Sequence, residues 1–193
     1  MVNMVTLPLG AYQTNCYLVW GENSHRCAVI DPGYQPQTVL SQAEKLGKTV
    51  EAILLTHGHF DHVGAVNDLA EEAGCPVYLH PQDRTLPPEL TAGVLCPTAP
   101  YPASLTVAGL TFCVLHTPGH TGGSVCLLAE DCIFSGDTLF QGSCGRTDLG
   151  GDWAAILRSL QTLKNLPGNY KVFPGHGAAT TLEAERTYNP YMR

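Results

Sequence analysis

Thr56-His57-Gly58-His59-Phe60-Asp61-His62 follows directly on the apolar run Ala52-Ile53-Leu54-Leu55. Four side chains that bind metal ions well fall within six residues, and folding alone gives no reason for that. The apolar run reads as a buried strand, and a strand ending in three histidines and an aspartate reads as the edge of a metal site. His57 and His59 are two apart, so they project to the same side of an extended segment. Asp61 and His62 are adjacent where the chain turns toward a helix, so they reach a second point in space.

Further candidate ligands lie downstream, each just past a predicted strand and inside a glycine-rich turn. They are His120 in Thr117-Pro118-Gly119-His120-Thr121-Gly122-Gly123, Asp137 in Ser135-Gly136-Asp137-Thr138, and His176 in Pro174-Gly175-His176-Gly177. Glycines at such positions let backbone approach a cofactor while a rigid sheet presents the side chains. Two clusters follow: His57, His59 and His120 for one metal, and Asp61, His62 and His176 for a second, with Asp137 between them as a bridging carboxylate. Nitrogen and oxygen donors of this kind suit zinc, and also iron or manganese. Two such ions roughly 3.5–4 Å apart can clamp a hydrolytic attack. His25, His80 and His116 are read as lying outside the metal shell. Asp31, in Asp31-Pro32-Gly33, is read first as a turn residue, with a carboxylate beneath the metal site as the other reading.

The rest of the chain alternates strands and helices. Strands are expected at 4–9, 15–20, 27–30, 76–79, 105–107, 110–115, 124–128, 132–134 and 171–173. Helices are expected from Pro36 to the stop at Gly47, through Val66 to the stop at Gly74, after Asp152 with Trp153, Ile156, Leu157, Leu160 and Leu163 as the apolar face, and over 181–188. Residues 84–104 carry five prolines and no periodicity, which reads as a long structured loop of the kind that often covers a site. The glycine-rich stretch 141–151 is a second loop. Together these elements suggest sheets covered by helices.

Composition narrows the class. Apolar content of 44% with 14% charged residues marks a globular protein of one domain, residues 1–193. A net charge of -7 without any cluster of Lys and Arg weighs against a nucleic-acid partner. Neither a signal-peptide pattern nor an apolar run of membrane-spanning length is present, so no membrane association and a cytoplasmic location are expected. The eight cysteines are irregularly spaced without a C-x-x-C and are read as reduced thiols, with Cys144 the one placed in a loop near the candidate metals.

The set His57-x-His59-x-Asp61-His62, with His120, Asp137 and His176 in their turns, resembles the metallo-β-lactamase fold superfamily over nearly the whole chain. The resemblance implies an α/β fold, a four-layer αββα sandwich with the metal site along one edge of the sheets. Within the superfamily the chain is most similar to small bacterial single-domain glyoxalase II-like hydrolases. Gly145-Arg146-Thr147-Asp148 and the tail Glu185-Arg186-Thr187-Tyr188-Asn189-Pro190 both fit that group. β-Lactamases themselves look less alike, since their metal-ligand sets differ.

The resemblance implies a binuclear hydrolase with two divalent metal ions, usually zinc, bridged by Asp137. Its expected substrate is a small anionic acyl thioester such as S-lactoylglutathione, attacked by a metal-bridging hydroxide. Asp61 or Asp137 is expected to orient the nucleophile and take its proton, and Arg146 to sit beside the substrate. Full-length glyoxalase II adds a helical C-terminal domain that helps to hold glutathione, and this sequence ends at Arg193 without one.

Persulfide dioxygenases are also similar, and would use a single iron at His57, His120 and Asp137. The segment Phe173-Pro174-Gly175-His176-Gly177 instead resembles the binuclear hydrolase form, and no ligand for a second metal is missing. A phosphodiesterase and a non-catalytic metal-binding module are the remaining readings. The acidic charge weighs against the first, the intact ligand set against the second.

Overall fold

The computed structural model describes all 193 residues. One sheet is built, in spatial order, from β1 (Val2–Leu9), β2 (Thr14–Gly21), β3 (Arg26–Ile30), β4 (Thr49–Leu54) and β5 (Val77–Tyr78). Its first three strands form an antiparallel meander, and β4 and β5 join in parallel. The parallel joins need crossovers, supplied by α1 (Pro36–Lys45) and by the short α2 (Phe60–Val63) with α3 (Val66–Ala73). The second sheet gathers β6 (Ser104–Val107), β7 (Leu110–His116), β8 (Val125–Ala129), β9 (Cys132–Gly136), β12 (Lys171–Pro174) and β13 (Thr180–Thr181), with β12 parallel to β9. Between β9 and β12 lie the small hairpin β10 (Leu139–Phe140) with β11 (Ser143–Cys144), then α4 (Trp153–Lys164). Helix α5 (Leu182–Tyr188) closes the chain.

Strand alternation sorts the side chains into layers. In the first sheet Tyr17, Val19, Ala28, Ile30, Ala52 and Leu54 point inward, where they meet Phe112, Val125, Leu127 and Phe134 of the second sheet. Their sequence neighbours Cys16, Leu18, Cys27, Val29 and Ile53 point outward against Val39, Val66 and Leu69 of α1 and α3. On the far side, Cys126, Ile133 and Val172 pack under Leu160, Leu163 and Leu182 of α4 and α5. Helices, sheet, sheet and helices therefore form the expected αββα sandwich, and no helix is long and apolar enough to cross a membrane.

Several local expectations shift. Strand β1 begins at Val2, and β10, β11 and β13 appear where no strand is predicted. Trp153 does not join the buried face of α4. That face is Ala155, Ile156, Ser159, Leu160 and Leu163, and Trp153, at the first helical position, falls beside it, 48% exposed and edge-on to Tyr191. Asp152 does cap this helix, accepting the N–H of Ala155 at 2.8 Å. Residues 86–103 hold neither helix nor strand and run over the surface beside β5. All eight cysteines are free thiols, four of them buried.

Strand ends converge on one edge of the sandwich. β3 runs into Asp31, β4 into His57, β9 into Asp137 and β12 into His176. At that edge the two sheets are tied by Val125 N–H to Thr56 O at 2.8 Å, and by Asn15 N–H to Gly175 O at 2.8 Å.

Candidate metal centre

The seven predicted ligands meet at this edge as two clusters. One metal-binding atom each from His57, His59 and His120 lies within 4.8 Å of the others, and the same holds for Asp61, His62 and His176. Asp137 stands between the clusters. Its Oδ1 is 3.3 Å from His62 Nε2, while its Oδ2 is 3.5 Å from His120 Nε2 and 3.7 Å from His176 Nε2. A third close group, Asp31, His57 and His62, lies beneath them.

Local structure explains these directions. His57 and His59 leave the end of β4 in an extended segment, and His59 ends it as the residue before α2. The chain then turns, so Asp61 and His62 occupy the first turn of that helix. Gly175 is required by close approach: a Cβ there would collide with Asp137 Oδ1 and His62 Cε1.

The ring tautomers are set from behind. A carbonyl or carboxylate can only accept, so the nitrogen facing it carries the proton. His120 Nδ1 faces Arg146 O at 2.7 Å, His176 Nδ1 faces Tyr12 O at 3.2 Å, and His62 Nδ1 faces Asp31 Oδ2 at 3.0 Å. In all three Nε2 is left facing the centre, where it can offer a lone pair to a metal ion or, without one, carry a proton toward the carboxylates. The Thr56 hydroxyl donates to Asp31 Oδ2 at 2.6 Å and lies 3.1 Å from His57 Nδ1. Asp31 also accepts the Thr56 N–H, so this turn residue supports both His57 and His62 from below.

The donor set fits metal ions. His57 Nε2, His59 Nε2 and Asp137 Oδ1 are buried without a hydrogen-bond partner, an arrangement that native folds keep for a purpose. Ring nitrogens also approach one another, His59 Nδ1 to His120 Nε2 at 2.8 Å and His62 Nε2 to His176 Nε2 at 3.3 Å. Two lone pairs that close repel unless a proton or a cation lies between them.

The charges agree with this. Burial holds His57 well below the ordinary imidazole range and His59 at about 4, with neighbouring imidazoles adding to the effect. Burial acts to raise Asp61, yet the hydrogen bond from His176 and the charge of His62 pull it below the ordinary carboxylate range. Asp137 is lowered in the same way, burial being outweighed by His62. Burial likewise opposes a proton on His62, but Asp137 and Asp31 raise it well above the usual value. Buried ionised carboxylates demand positive charge, and no Lys or Arg touches them.

Three supporting residues escape sequence reading. Thr14 donates to Asp61 Oδ2 at 3.1 Å. Tyr12 supplies the carbonyl behind His176. Asp83, in the 3-10 turn Pro81–Thr85, is buried and accepts Gly58 N–H at 2.8 Å, Gly123 N–H at 2.7 Å and the Thr121 hydroxyl at 2.8 Å. It thereby ties the loop of His57 and His59 to the loop of His120. Burial raises its carboxyl above the usual range against the pull of those three donors. Of the histidines placed outside the shell, His80 and His116 stack on each other with centroids 4.2 Å apart, and neither they nor His25 join either cluster.

The clusters floor a cavity of about 450 Å³, within the size range of small-molecule sites. Its walls include Tyr12, Phe60, Leu90, Phe140 and Leu149, with Cys144 and Arg146 beside them. Arg146 is exposed and paired with Asp148 through Nε–Oδ1 at 2.6 Å and Nη2–Oδ2 at 2.5 Å.

The chain is similar to known proteins along its length. A Haemophilus influenzae protein, hydroxyacylglutathione hydrolase GloC, is 33% identical over 99% of this chain and 98% of its own. Among solved structures, TTHA1623 in a di-iron-bound form is 40% identical, with TM-score 0.87, over 97% of this chain and 99% of that one. BLEG-1, described as a B3 metallo-beta-lactamase, is 38% identical, with TM-score 0.86, over 100% and 99%. That likeness is greater than the sequence reading grants to β-lactamases. The profile of the Metallo-beta-lactamase superfamily matches residues 9–176, which include all seven candidate ligands. Fold, ligand geometry and these likenesses agree: the chain belongs to the metallo-beta-lactamase superfamily.

Proposed function

We propose that this protein is a binuclear metal-dependent hydrolase of small acyl thioesters. His57, His59 and His120 would hold one ion and Asp61, His62 and His176 the other, with Asp137 shared; zinc, iron and manganese all suit the donors. The carrying observation is the pair of three-residue clusters, joined by one buried carboxylate, on the floor of a cavity of small-molecule size. The Haemophilus relative, described as a hydroxyacylglutathione hydrolase, supports the thioester as substrate.

When bound, the ions would polarise the substrate carbonyl and lower the pKa of water. The protein's own groups do the rest. Thr14 fixes the Asp61 carboxylate by donating its hydroxyl to Oδ2. Asp61 and Asp137 are the carboxylates lining the cavity, and both are held in the ionised form, so either can orient attacking water by accepting its hydrogen bond. A thiolate departs without a strong acid, because thiols ionise near pH 8–9. Phe60 and Leu90 line the cavity beside the reacting centre.

The test is elemental analysis of protein purified without added metal, followed by assay on S-lactoylglutathione, nitrocefin and glutathione persulfide. About two equivalents of metal and thioester turnover that follows metal occupancy are expected. About one equivalent of iron with oxygen uptake on the persulfide would overturn the reading in favour of an oxygenase. Turnover of nitrocefin in place of thioesters would make the protein a lactamase.

A further inference from the structure

The cavity above the candidate metals has an apolar wall assembled from five separate segments. Tyr12 comes from the β1–β2 turn, Phe60 from the start of α2, Leu90 from the 86–103 segment, Phe140 from β10 and Leu149 from the following loop. Three of the five segments are tied together. Tyr12 meets Phe60 edge-on at 5.4 Å, and the Phe60 N–H donates to Leu90 O at 2.9 Å. Yet the wall is not closed over: Tyr12 is 59% exposed and the other four are half-buried. Apolar surface left open around a reactive centre marks a place where an apolar group binds.

Cationic groups are scarce at the same place. Arg146 is the one Lys or Arg lining the cavity, and Asp148 already holds its guanidinium through two contacts. Both side chains are exposed, so a substrate carboxylate could displace Asp148. A carrier with two carboxylates, such as glutathione, would leave at least one of them without a partner.

We infer that the site selects its thioester by an uncharged aliphatic or aromatic group seated against Tyr12, Phe60, Leu90, Phe140 and Leu149, and not by the charges of the thiol carrier. This inference rests on the hydrolase reading above and assigns that site its substrate class. Each methylene buried on the wall is worth roughly fourfold in affinity.

The experiment uses inert thioethers, so that binding is read apart from turnover. S-Methylglutathione, S-hexylglutathione and the uncharged S-hexyl-N-acetylcysteamine are titrated calorimetrically into metal-loaded protein. Hexyl should bind at least about 10-fold tighter than methyl, and removal of the glutathione charges should change affinity by less than about threefold. Phe60→Ser and Leu149→Ser should each shrink the hexyl advantage by about threefold or more. Equal binding of methyl and hexyl, or a loss of about 10-fold or more without the carboxylates, would overturn the inference. Hydrolysis of hexanoyl-N-acetylcysteamine and of S-lactoylglutathione is measured alongside. Chain-length-dependent binding with no turnover of either would overturn the hydrolase reading alone. Turnover without any chain-length dependence would overturn this inference alone.

Discussion

Asp83 Oδ2 accepts the backbone N–H of Gly58 at 2.8 Å, and so fixes the residue between the candidate ligands His57 and His59. Its second oxygen holds Gly123 N–H beyond His120, where a Cβ on Gly123 would run into the same carboxylate. Asp83→Ala leaves these donors buried and unpaired, at about 1–3 kcal/mol each. Asp83→Asn keeps one accepting oxygen and turns an NH2 toward the remaining donors, so it should cost less. Thermal melts should therefore rank parent, then Asn, then Ala, with Ala down by roughly 5 °C or more. An alanine variant melting with the parent would refute the tether.

Asp31 would act on bound metals through other side chains. It receives His62 Nδ1 directly and supports His57 through the Thr56 hydroxyl. In Asp31→Asn one oxygen becomes an NH2, so either the Thr56 N–H or both the Thr56 hydroxyl and His62 Nδ1 lose their acceptor, and the imidazoles lose their fixed orientation. Loss of such a partner typically weakens a metal site by 10–100-fold. Competition titration with a chromogenic chelator should show that drop, with a far-UV spectrum unchanged from the parent. An affinity within about twofold of the parent would remove Asp31 from this role.

The two clusters should part in stoichiometry. His59→Ala takes a donor from one and His176→Ala from the other, so each variant should carry about one equivalent of metal where the parent carries about two. Asp137 faces both clusters, and Asp137→Ala should lower occupancy at both. Retention of two equivalents by His176→Ala would exclude it as a ligand.

Gly175→Ala places a methyl group against Asp137 Oδ1 and His62 Cε1. The neighbouring backbone cannot yield easily, because Gly175 N–H donates to Gly136 O at 2.9 Å and Gly175 O accepts Asn15 N–H at 2.8 Å. Overpacking of this kind costs about 1–3 kcal/mol. The variant should melt several degrees lower and lose metal at the second cluster first. A normal melt with full metal content would show that the loop adapts.

Metal removal should soften the whole edge. Ions bound only by the folded chain stabilise it by mass action, about 2.7 kcal/mol at a hundredfold excess over Kd. Dialysis against a chelator should lower the melting temperature, and adding back zinc or iron should restore it. An unchanged melt on proven metal loss would mean that the ligand loops are held by the sheets alone.

The candidate ligands were legible as a group because their signal is local. Three histidines and an aspartate at the end of a strand need no tertiary knowledge, and His57 and His59 share a side by strand geometry. The four layers were expected from the resemblance, the residues themselves suggesting sheets covered by helices, and the structure sorts β2, β3 and β4 into inward and outward faces. Asp83 was not legible, because two of its three partners are backbone N–H groups of distant glycines, which leave no mark on sequence. The same holds for Tyr12, whose carbonyl faces His176. Strands β10, β11 and β13 are two residues long, too short for alternation to register. Trp153 misled because an apolar residue at a helix's first position looks like part of its stripe.

The spread of the ligands along the chain sets an order of assembly. His62 and His176 meet across 114 residues, whereas His59 and His120 are 61 apart. On a growing chain the first cluster has all its donors once His120 has emerged. The second waits for β12, which must slot in beside β9 before His176 faces its partners. The donors of the first cluster thus precede the last donor of the second in synthesis, and the second cluster is complete only when β12 has joined the sheet.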